Sequence, residues 1–280
     1  MPSRRNFLRT SALSITTAGL QPLFTQANAL NTTEQGADFL KLGIAGYTFH
    51  NIPMDQAIAM MQQVGVTALS IKDFYLPLDC SPEKAQEVLG KFKTAGIEVY
   101  AAGVIYMKSN AEIDKSFDYA KRIGVNMIVG VPNYELLSYA EEKVKATNIR
   151  LAIHNHGPED KLYPGPKDVY DRIKNMDPRI GLCFDIGHGA RAGTDPAIAV
   201  EAYAPRILDM HIKDIKASGT GERAIEMGRG IIDFPALLKA LKKINYSGRC
   251  SIEFEMDTKE PLPGIAESVG FFKGVERALA

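Results

Sequence analysis

The chain has 280 residues, of which 45% are hydrophobic and 24% are charged, and it contains no Trp. These proportions are typical of a globular protein with a packed core, and they exclude a disordered or fibrous chain. The 33 basic residues balance 33 acidic ones, so the sequence lacks the positive charge that nucleic-acid or acidic-membrane partners favour.

Residues 1–29 have the pattern of an export signal. Arg4 and Arg5 form a twin-arginine pair, a short apolar stretch follows, and Ala27-Asn28-Ala29 matches an A-x-A cleavage site. Polar residues interrupt the apolar stretch, which is too short to span a bilayer. We therefore expect a twin-arginine signal peptide at residues 1–29 and a periplasmic mature chain, residues 30–280, with no membrane contact after cleavage.

From residue 42 onward, short runs rich in β-branched residues alternate with helical, charge-bearing stretches, and the alternation occurs eight times. The predicted strands are 42–48, 68–72, 98–104, 127–131, 151–154, 181–185, 208–212 and 250–254. The predicted helices are 54–64, 82–95, 113–123, 134–146, 166–175, 196–203, 234–243 and 265–279.

Eight units of roughly 31 residues each are typical of an α/β protein of the (β/α)₈ TIM barrel type. Helix start signals support this division, since Ser81-Pro82 and Asp195-Pro196 each place a capping residue before a proline. A doubly wound open sheet is the structural alternative. It would carry a glycine-rich phosphate loop, and the sequence has no G-x-G-x-x-G. We therefore predict one barrel domain over residues 30–280.

All five histidines fall at or near the carboxyl ends of predicted strands, where TIM barrels hold their active sites. They are His50, His154, His156, His188 and His211. A single histidine in such a place is more often structural, but five on one rim indicate a site. Carboxylates lie at the same ends. Mixed imidazole and carboxylate ligands suit one divalent ion, with Mn²⁺, Co²⁺ or Zn²⁺ favoured over Mg²⁺.

The three cysteines, Cys80, Cys183 and Cys250, are sparse and include no C-x-x-C pair. This number and spacing argue against a disulfide framework and against a thiolate zinc site. Because side chains alternate along a strand, Cys183 and Cys250 are expected to face different layers. We therefore predict that both pack in the core.

Four segments of the sequence resemble the xylose isomerase-like TIM barrels. They are LAIHNHG at 151–157, FDIGH at 184–188, MHIKD at 210–214 and SIEFE at 251–255. The superfamily includes sugar phosphate isomerases and epimerases, ketose 3-epimerases, inosose dehydratases and endonuclease IV. The segments occur in the order expected for the family, and the resemblance covers essentially the whole mature chain.

The resemblance implies a set of four metal ligands. They are His154, Asp185, His211 and Glu253. The chain departs from the family pattern at His154, where many isomerases and epimerases have Glu. Those enzymes are thought to use two metal-binding glutamates as opposed acid/base groups, so this chain retains Glu253 and lacks the second.

Further residues are predicted to act on or bind the substrate. His188 resembles a substrate-binding histidine of the ketose epimerases, and Lys72 lies where a polar substrate contact is expected; with Glu253 they form the predicted catalytic set. The predicted substrate contacts are His50, His156, Lys213 and Arg229. Glu255 is expected to hydrogen-bond a metal ligand, and the glycine-rich segment 218–230 is either a loop that closes over the site or a simple surface loop.

These observations favour a metal-dependent sugar isomerase or epimerase that removes a proton next to a carbonyl. Export favours an unphosphorylated carbohydrate, because sugar phosphates are chiefly cytoplasmic. A lyase or hydratase acting on 3-keto-glycosides at the same site is the nearest alternative, and a non-catalytic sugar-binding barrel is a third. DNA repair like that of endonuclease IV is opposed by export and by an acidic mature chain. The expected partner is therefore a small carbohydrate and not a nucleic acid, and the sequence predicts no oligomeric state.

Overall fold

The structure is a closed barrel of eight parallel strands, which confirms the fold predicted from the alternating pattern. The computed structural model describes residues 39–257 and 259–280, so the predicted signal peptide at residues 1–29 lies outside the described residues. The barrel strands are β1 (Lys41–Ala45), β2 (Ala68–Ile71), β3 (Glu98–Met107), β4 (Met127–Pro132), β5 (Arg150–His154), β6 (Ile180–Asp185), β7 (Ile207–Ile212) and β10 (Arg249–Ile252). Two short strands, β8 (Asp214–Ile215) and β9 (Ala224–Ile225), form a separate antiparallel pair.

Helices follow the barrel strands. They are α1 (Met54–Val64), α2 (Pro82–Thr94), α3 (Asn110–Ile123), α4 (Leu137–Thr147), α5 (Pro166–Ile173), α6 (Ile186–Arg191), α7 (Pro196–Tyr203), α8 (Phe234–Lys243) and α9 (Leu262–Ala278). Within residues 39–257 and 259–280, no helix is both long enough and apolar enough to cross a membrane.

The barrel strands are buried because helices cover their outer faces and side chains fill the interior. The six residues of β4, MIVGVP, are all buried, for example. This explains why these strands form apolar runs in the sequence and not the alternating pattern of a half-exposed sheet. Around the barrel the strand order is β1-β10-β7-β6-β5-β4-β3-β2, so the last barrel strand closes against the first.

Side-chain caps begin several helices where the sequence predicts them. The Ser81 hydroxyl accepts a hydrogen bond from the Lys84 amide at 3.2 Å, and the Asp195 carboxylate accepts one from the Ala197 amide at 2.8 Å. Gly65 and Gly124 follow α1 and α3 with φ of 66° and 74°, the left-handed conformation that ends a helix. Local sequence therefore fixes where these helices start and stop.

Three local features differ from the prediction. The last barrel strand ends at Ile252, so Glu253 lies just beyond it. The short helix α6 follows β6 directly, although Gly187 and Gly189 are poor helix formers, because the Asp185 carboxylate caps it. Strands β8 and β9 are two residues each, too short to produce a periodic pattern.

A buried polar network occupies the barrel interior. The Tyr100 hydroxyl donates to Asp209 Oδ2 at 2.9 Å and lies 2.6 Å from the Ser251 hydroxyl. Burial raises the pKa of Asp209 to about 6. The three cysteines are buried free thiols, and the buried positions of Cys183 and Cys250 agree with the predicted core packing. The candidate functional side chains lie at the carboxyl ends of the strands, where the loops begin.

Candidate metal centre and substrate pocket

A cavity of about 340 Å³ opens at the carboxyl ends of the barrel strands. Its volume falls within the range of roughly 300–1,000 Å³ that is usual for small-molecule sites. The lining residues are Tyr47, Lys72, Val104, Tyr106, His154, His156, His188, Glu253 and Glu255. The position agrees with the general placement of active sites in TIM barrels.

The four predicted metal ligands meet at one side of this cavity. The candidate ligand atoms of His154, Asp185, His211 and Glu253 all lie within 4.8 Å of one another, and all four side chains are buried. His154 Nε2 is 3.0 Å from His211 Nδ1 and 3.5 Å from Asp185 Oδ2. His211 Nδ1 is 3.4 Å from Glu253 Oε1. These four residues form the ligand cluster.

The spacing of the ligand cluster suits a divalent ion. With metal–ligand bonds of about 2.1 Å, the ligand atoms of a tetrahedral zinc site lie roughly 3.4 Å apart. The distances in the cluster bracket that value. The residues therefore fit the metal that the sequence predicts.

Strand register and backbone contacts set the ligand positions. Asp185 pairs with His211 across β6 and β7, which places the two side chains at one level of the barrel. The Asn155 side chain hydrogen-bonds both the amide and the carbonyl of Asp185, each at 3.0 Å. Asp185 Oδ1 accepts from the His188 amide at 2.8 Å, so Oδ2 is the oxygen directed at the cluster. The role of Asn155 was not identified from the sequence.

Lys213 lies beside the ligand cluster and is itself buried. Its Nζ is 3.0 Å from Asp185 Oδ2 and 2.8 Å from Glu253 Oε2, and it contacts Glu255 Oε1. Burial opposes the charged form of Lys213, but the three carboxylates raise the pKa of its ammonium well above the usual value. The structure thus places Lys213 against carboxylates and not among the residues that line the cavity.

The carboxylates of this group outnumber its cations. Asp185, Glu253 and Glu255 contribute three carboxylates, and Lys213 contributes one ammonium. Burial lowers the pKa of His154, which keeps that imidazole neutral, whereas the pKa of His211 is raised because the Glu253 carboxylate outweighs the effect of burial. A divalent cation would neutralise the excess, since buried charges require compensation. The charge count therefore agrees with the spacing.

Two further histidines face the cavity as neutral bases. Burial lowers the pKa of His156 to about 2, with a further contribution from His154. Burial also lowers the pKa of His188 to about 3, helped by the nearby Lys213. The His156 Nε2 atom lies 3.1 Å from the Tyr106 hydroxyl. Both imidazoles are therefore neutral near pH 7 and present hydrogen-bonding nitrogens at the wall of the cavity.

Lys72 lines the opposite wall, as expected for a polar substrate contact. Its Nζ donates to the Val104 carbonyl at 2.6 Å and lies 3.4 Å from Asp73 Oδ1. These contacts hold the ammonium at the rim of the cavity. Among the described residues that line this cavity, Lys72 is the one lysine or arginine.

Besides Lys213, two more predicted substrate contacts, His50 and Arg229, lie outside the group that lines the cavity. The His50 ring stacks on Tyr47 with ring centroids 4.6 Å apart. Arg229 is exposed and forms an ion pair with Glu267 on α9, with Nε 2.6 Å from Oε1. The structure does not place His50 or Arg229 at the cavity wall, so their direct contact with a substrate stays a prediction.

Aromatic side chains at the cavity mouth were not identified from the sequence. Tyr47 and Tyr106 line the cavity and are 43% and 49% exposed. Tyr106 comes from the carboxyl end of β3, and Tyr47 follows β1. A tyrosine near the end of a predicted strand could have indicated a residue of the cavity mouth, but tyrosines are also common in protein cores, so the position alone does not distinguish the two. Such rings supply the flat apolar surfaces on which ligands pack.

Cys183 lies beneath the ligand cluster, and its Sγ groups with nitrogen atoms of His154 and His211. Burial raises the pKa of this thiol well above its usual value. A protonated thiol is a poor ligand because metals bind the thiolate. Cys183 therefore packs under the centre, in agreement with the predicted core position.

The segment 218–230 lies next to the site. A second cavity of about 890 Å³ is lined by Arg223 and Glu222 from this segment and shares Glu255 with the first cavity. Glu159, in the loop after β5, accepts a hydrogen bond from the Gly221 amide at 2.8 Å and pairs with Arg191. The loops after β5 and β7 are thus joined to each other beside the pocket.

The two sides of the site come from different parts of the barrel. The ligand cluster is carried by β5, β6, β7 and the residue after β10, which are neighbours in the barrel. Tyr47, Lys72, Val104 and Tyr106 lie on or just after β1, β2 and β3, which are also neighbours. One half of the barrel therefore holds the ligand cluster, and the other half forms the facing wall.

Comparison with known proteins identifies a family. The sequence model described as "Xylose isomerase-like TIM barrel" matches residues 58–275. The rhizopine catabolism protein MocC of Rhizobium meliloti is 30% identical over 138 residues, which cover 44% of this chain and 42% of that protein. An inosose dehydratase of Mesomycoplasma hyopneumoniae is 23% identical over 282 residues, which cover 80% of this chain and 91% of that protein. The chain spans less than half of the length of the first curated relatives it matches.

Solved structures show the same fold. A protein from Parabacteroides distasonis is 29% identical with a TM-score of 0.66, over 84% of this chain and 99% of that chain. The 3-keto-D-glucoside 4-epimerase YcjR from E. coli is 15% identical with a TM-score of 0.65, over 84% and 99%. The IOLI protein with a bound zinc atom is 19% identical with a TM-score of 0.67, over 84% and 96%. At such low identity the last two show a likeness of fold alone.

Proposed function

Because this chain belongs to the xylose isomerase-like TIM barrel family, we propose that it is a divalent-metal-dependent enzyme that removes a proton next to the carbonyl of an unphosphorylated keto-sugar. One observation carries the proposal: four buried imidazole and carboxylate groups converge at the side of a substrate-sized cavity. The bound zinc of the structurally similar IOLI protein agrees with such a centre. We propose sugar isomerisation or epimerisation as the first outcome of the proton transfer.

The cavity favours an uncharged sugar. Its lining includes one lysine, Lys72, against two carboxylates, Glu253 and Glu255. Phosphate sites usually provide arginines or helix amino termini, and no arginine lines this cavity among the described residues. The lining therefore supports a neutral hydroxylated substrate.

A divalent ion at the ligand cluster would polarise the substrate carbonyl. Glu253 lines the cavity and is the carboxylate placed to accept the adjacent proton. Burial opposes its charge, but Lys213 and His211 lower its pKa well below the usual value, so the side chain is ionised. His188 and His156 are neutral and border the same space, where their ring nitrogens can hydrogen-bond substrate hydroxyls. The proton that Glu253 takes up can be returned to the substrate from its carboxyl group. Lys72 can hold a substrate oxygen from the opposite wall.

Elimination is the second candidate, and two observations favour it. The site has His154 where a second glutamate would supply the opposed base for epimerisation. One relative that aligns over most of its own length, at 23% identity, is an inosose dehydratase. In this case Glu253 would remove the same proton, and the carboxyl group so formed could protonate the departing hydroxyl.

The proposal is tested by incubating the metal-loaded protein in D₂O with free sugars, 3-keto sugars and inososes, with NMR detection. We expect deuterium at one carbon next to the carbonyl, with one stereochemistry. An isomerised product supports the first candidate, and a dehydrated or cleaved product supports the second. If no substrate in the panel exchanged a proton, proton abstraction from keto-sugars would be rejected.

The ligand cluster is tested independently of turnover. Asp185→Ala and Glu253→Gln should each lose bound metal, measured by elemental analysis, because each variant removes a charged ligand. Glu267→Gln, on the exposed face of α9, is the matched control and should keep its metal. Full metal content in either cluster variant would show that the residue is not a ligand.

We also propose export to the periplasm, on the sequence of residues 1–29. The expected mature amino terminus is Leu30. Amino-terminal sequencing of periplasmic protein tests this, and recovery of only uncleaved cytoplasmic chain would contradict it.

A further inference from the structure

Lys213 occupies a position that resembles a second cation site. His188, Glu253 and Glu255 each offer one ligand atom, and these atoms lie within 4.8 Å of one another, as in a metal-binding group. The Lys213 Nζ atom is 2.8 Å from Glu253 Oε2, 3.2 Å from His188 Nε2 and in contact with Glu255 Oε1. The ammonium therefore lies among the same three groups that would bind an ion there.

The two positions share carboxylates. Glu253 directs Oε1 towards His211, at 3.4 Å from Nδ1, and Oε2 towards Lys213. Asp185 Oδ2 is 3.0 Å from the Lys213 Nζ and 3.5 Å from His154 Nε2. Shared carboxylates of this kind bridge the ions in two-metal enzymes, where the metals are roughly 3.5–4 Å apart.

The Lys213 side chain is fixed in this position. It is 4% exposed, and its stem packs against Gly187, where an added Cβ would lie 2.5 Å from the lysine Cγ. A side chain at residue 187 would therefore displace the lysine. The glycine, on the short helix α6, allows the stem to reach the carboxylates.

We propose that Lys213 is a built-in cation that fills the second position of a two-cation centre, so that the chain binds one divalent ion instead of two. The ammonium neutralises Glu255 and part of the charge of Glu253, and it holds the two carboxylates in place. The inference rests on the metal centre of the proposed function and adds the number of ions bound and the group that replaces the second one.

The competing explanation is that Lys213 takes the place of the first ion and leaves when the metal binds. The two explanations predict different results when the lysine is removed. If Lys213 fills the second position, its removal allows a second ion to bind there. If Lys213 competes with the first ion, its removal only tightens the binding of that ion.

The experiment is a metal titration of the full chain after removal of metal with a chelator. Mn²⁺ is added to the wild type, to Lys213→Ala and Lys213→Ser, and to Lys239→Ala, a control on the exposed face of α8. Bound metal is measured by elemental analysis after dialysis, and Mn²⁺ electron paramagnetic resonance shows whether two ions are close enough to couple. Circular dichroism checks the fold of each variant.

We expect one Mn²⁺ per chain in the wild type and in Lys239→Ala, with the hyperfine pattern of an isolated ion. Lys213→Ala or Lys213→Ser should bind two, with a spin-coupled spectrum. Two ions in the wild type, or a single ion in the folded Lys213 variants, would overturn the inference. The number of ions bound by the wild type still tests the inference if neither variant folds. Absence of bound metal in the wild type would instead contradict the metal centre of the proposed function.

Discussion

Tyr106 presents an exposed ring at the mouth of the cavity, stacked on His156 with ring centroids 5.4 Å apart. Replacing it by Ala should raise KM about 3- to 10-fold, because aromatic contacts contribute about 0.5–1.5 kcal/mol. Tyr106→Phe keeps the ring and should retain most of the affinity. Phe74→Ala removes an exposed ring that does not line the cavity, and it should leave KM unchanged. Equal KM values for Tyr106→Ala and the wild type in steady-state kinetics would exclude this ring from binding.

His154 sets the chemical preference of the ligand cluster. Imidazole suits zinc and cobalt, whereas carboxylate ligands suit manganese and magnesium. His154→Glu should therefore shift the ratio of Mn²⁺ to Zn²⁺ affinities towards Mn²⁺ by roughly 10-fold, the lower end of the effects seen at metal sites. Competitive loading from an equimolar mixture, followed by elemental analysis, measures the ratio. The conservative control is His50→Gln, at a histidine outside the cluster, which should leave the ratio unchanged.

The convergence of the four residues of the ligand cluster could be predicted because it depends on strand ends and on motifs. The contacts of Lys213 could not be predicted, because a lysine after a strand is as consistent with a solvated rim as with a buried ion pair. Its burial depends on Gly187, which belongs to another element. Asn155 was missed for a similar reason, since its side chain binds the backbone of Asp185 on a neighbouring strand.

At the scale of elements, Asp214 organises the connection between β7 and α8. Its buried carboxylate accepts hydrogen bonds from the amides of Gly228 and Gly230 at 3.0 and 2.8 Å. It also accepts from the amides of Ile215 and Ile232 at 2.9 and 3.2 Å. One side chain thus fixes the ends of the segment that carries β8, β9 and the rim of the second cavity.

Asp214→Asn should destabilise the protein by about 1–3 kcal/mol, because an amide N–H₂ would face backbone donors and leave them unpaired. Urea unfolding measures the loss, and limited proteolysis should cut the segment 216–223 faster. Asp233→Asn is the matched control. Asp233 caps α8 through the Ala236 amide at 2.9 Å, and asparagine caps equally well, so little change is expected. Unchanged unfolding of Asp214→Asn would exclude this role for Asp214.

Element types followed from the sequence more readily than element bounds. Strand β3 continues to Met107, beyond the predicted end at residue 104, because its pairing with β4 extends that far. Helix α6 was not predicted, since its cap comes from Asp185, a residue that the sequence had assigned to metal binding alone. Long-range pairing and shared side chains decide these bounds, and neither leaves a local periodic signal.

At the scale of the whole molecule, closure of the barrel joins distant parts of the chain. Strand β1 pairs with β10 on one side and with β2 on the other. The Leu40 amide, just before β1, donates to Glu276 Oε1 on α9 at 2.7 Å, and both residues are buried. The first strand is therefore held by the last helix as well as by the last barrel strand.

Glu276→Ala should lower the free energy of unfolding by about 1–3 kcal/mol, because the Leu40 amide would be buried without a partner. Chemical denaturation measures the change. Glu267→Ala, on the exposed side of the same helix, should alter stability by less than about 0.5 kcal/mol. Comparable stability of Glu276→Ala and Glu267→Ala would show that this contact does not contribute to closure.

The separation of the ligand cluster from the facing wall has a consequence for how such a protein can diverge. Residues 41–107 supply the wall through Tyr47, Lys72, Val104 and Tyr106, and none of the four cluster ligands falls in that range. Under the proposed function, substitutions, or exchange of this whole segment with that of a relative, would alter which substrate is accepted while the ligand cluster stays intact. Under the proposed function, new specificities would therefore accumulate in one segment of the gene without passing through inactive ancestors.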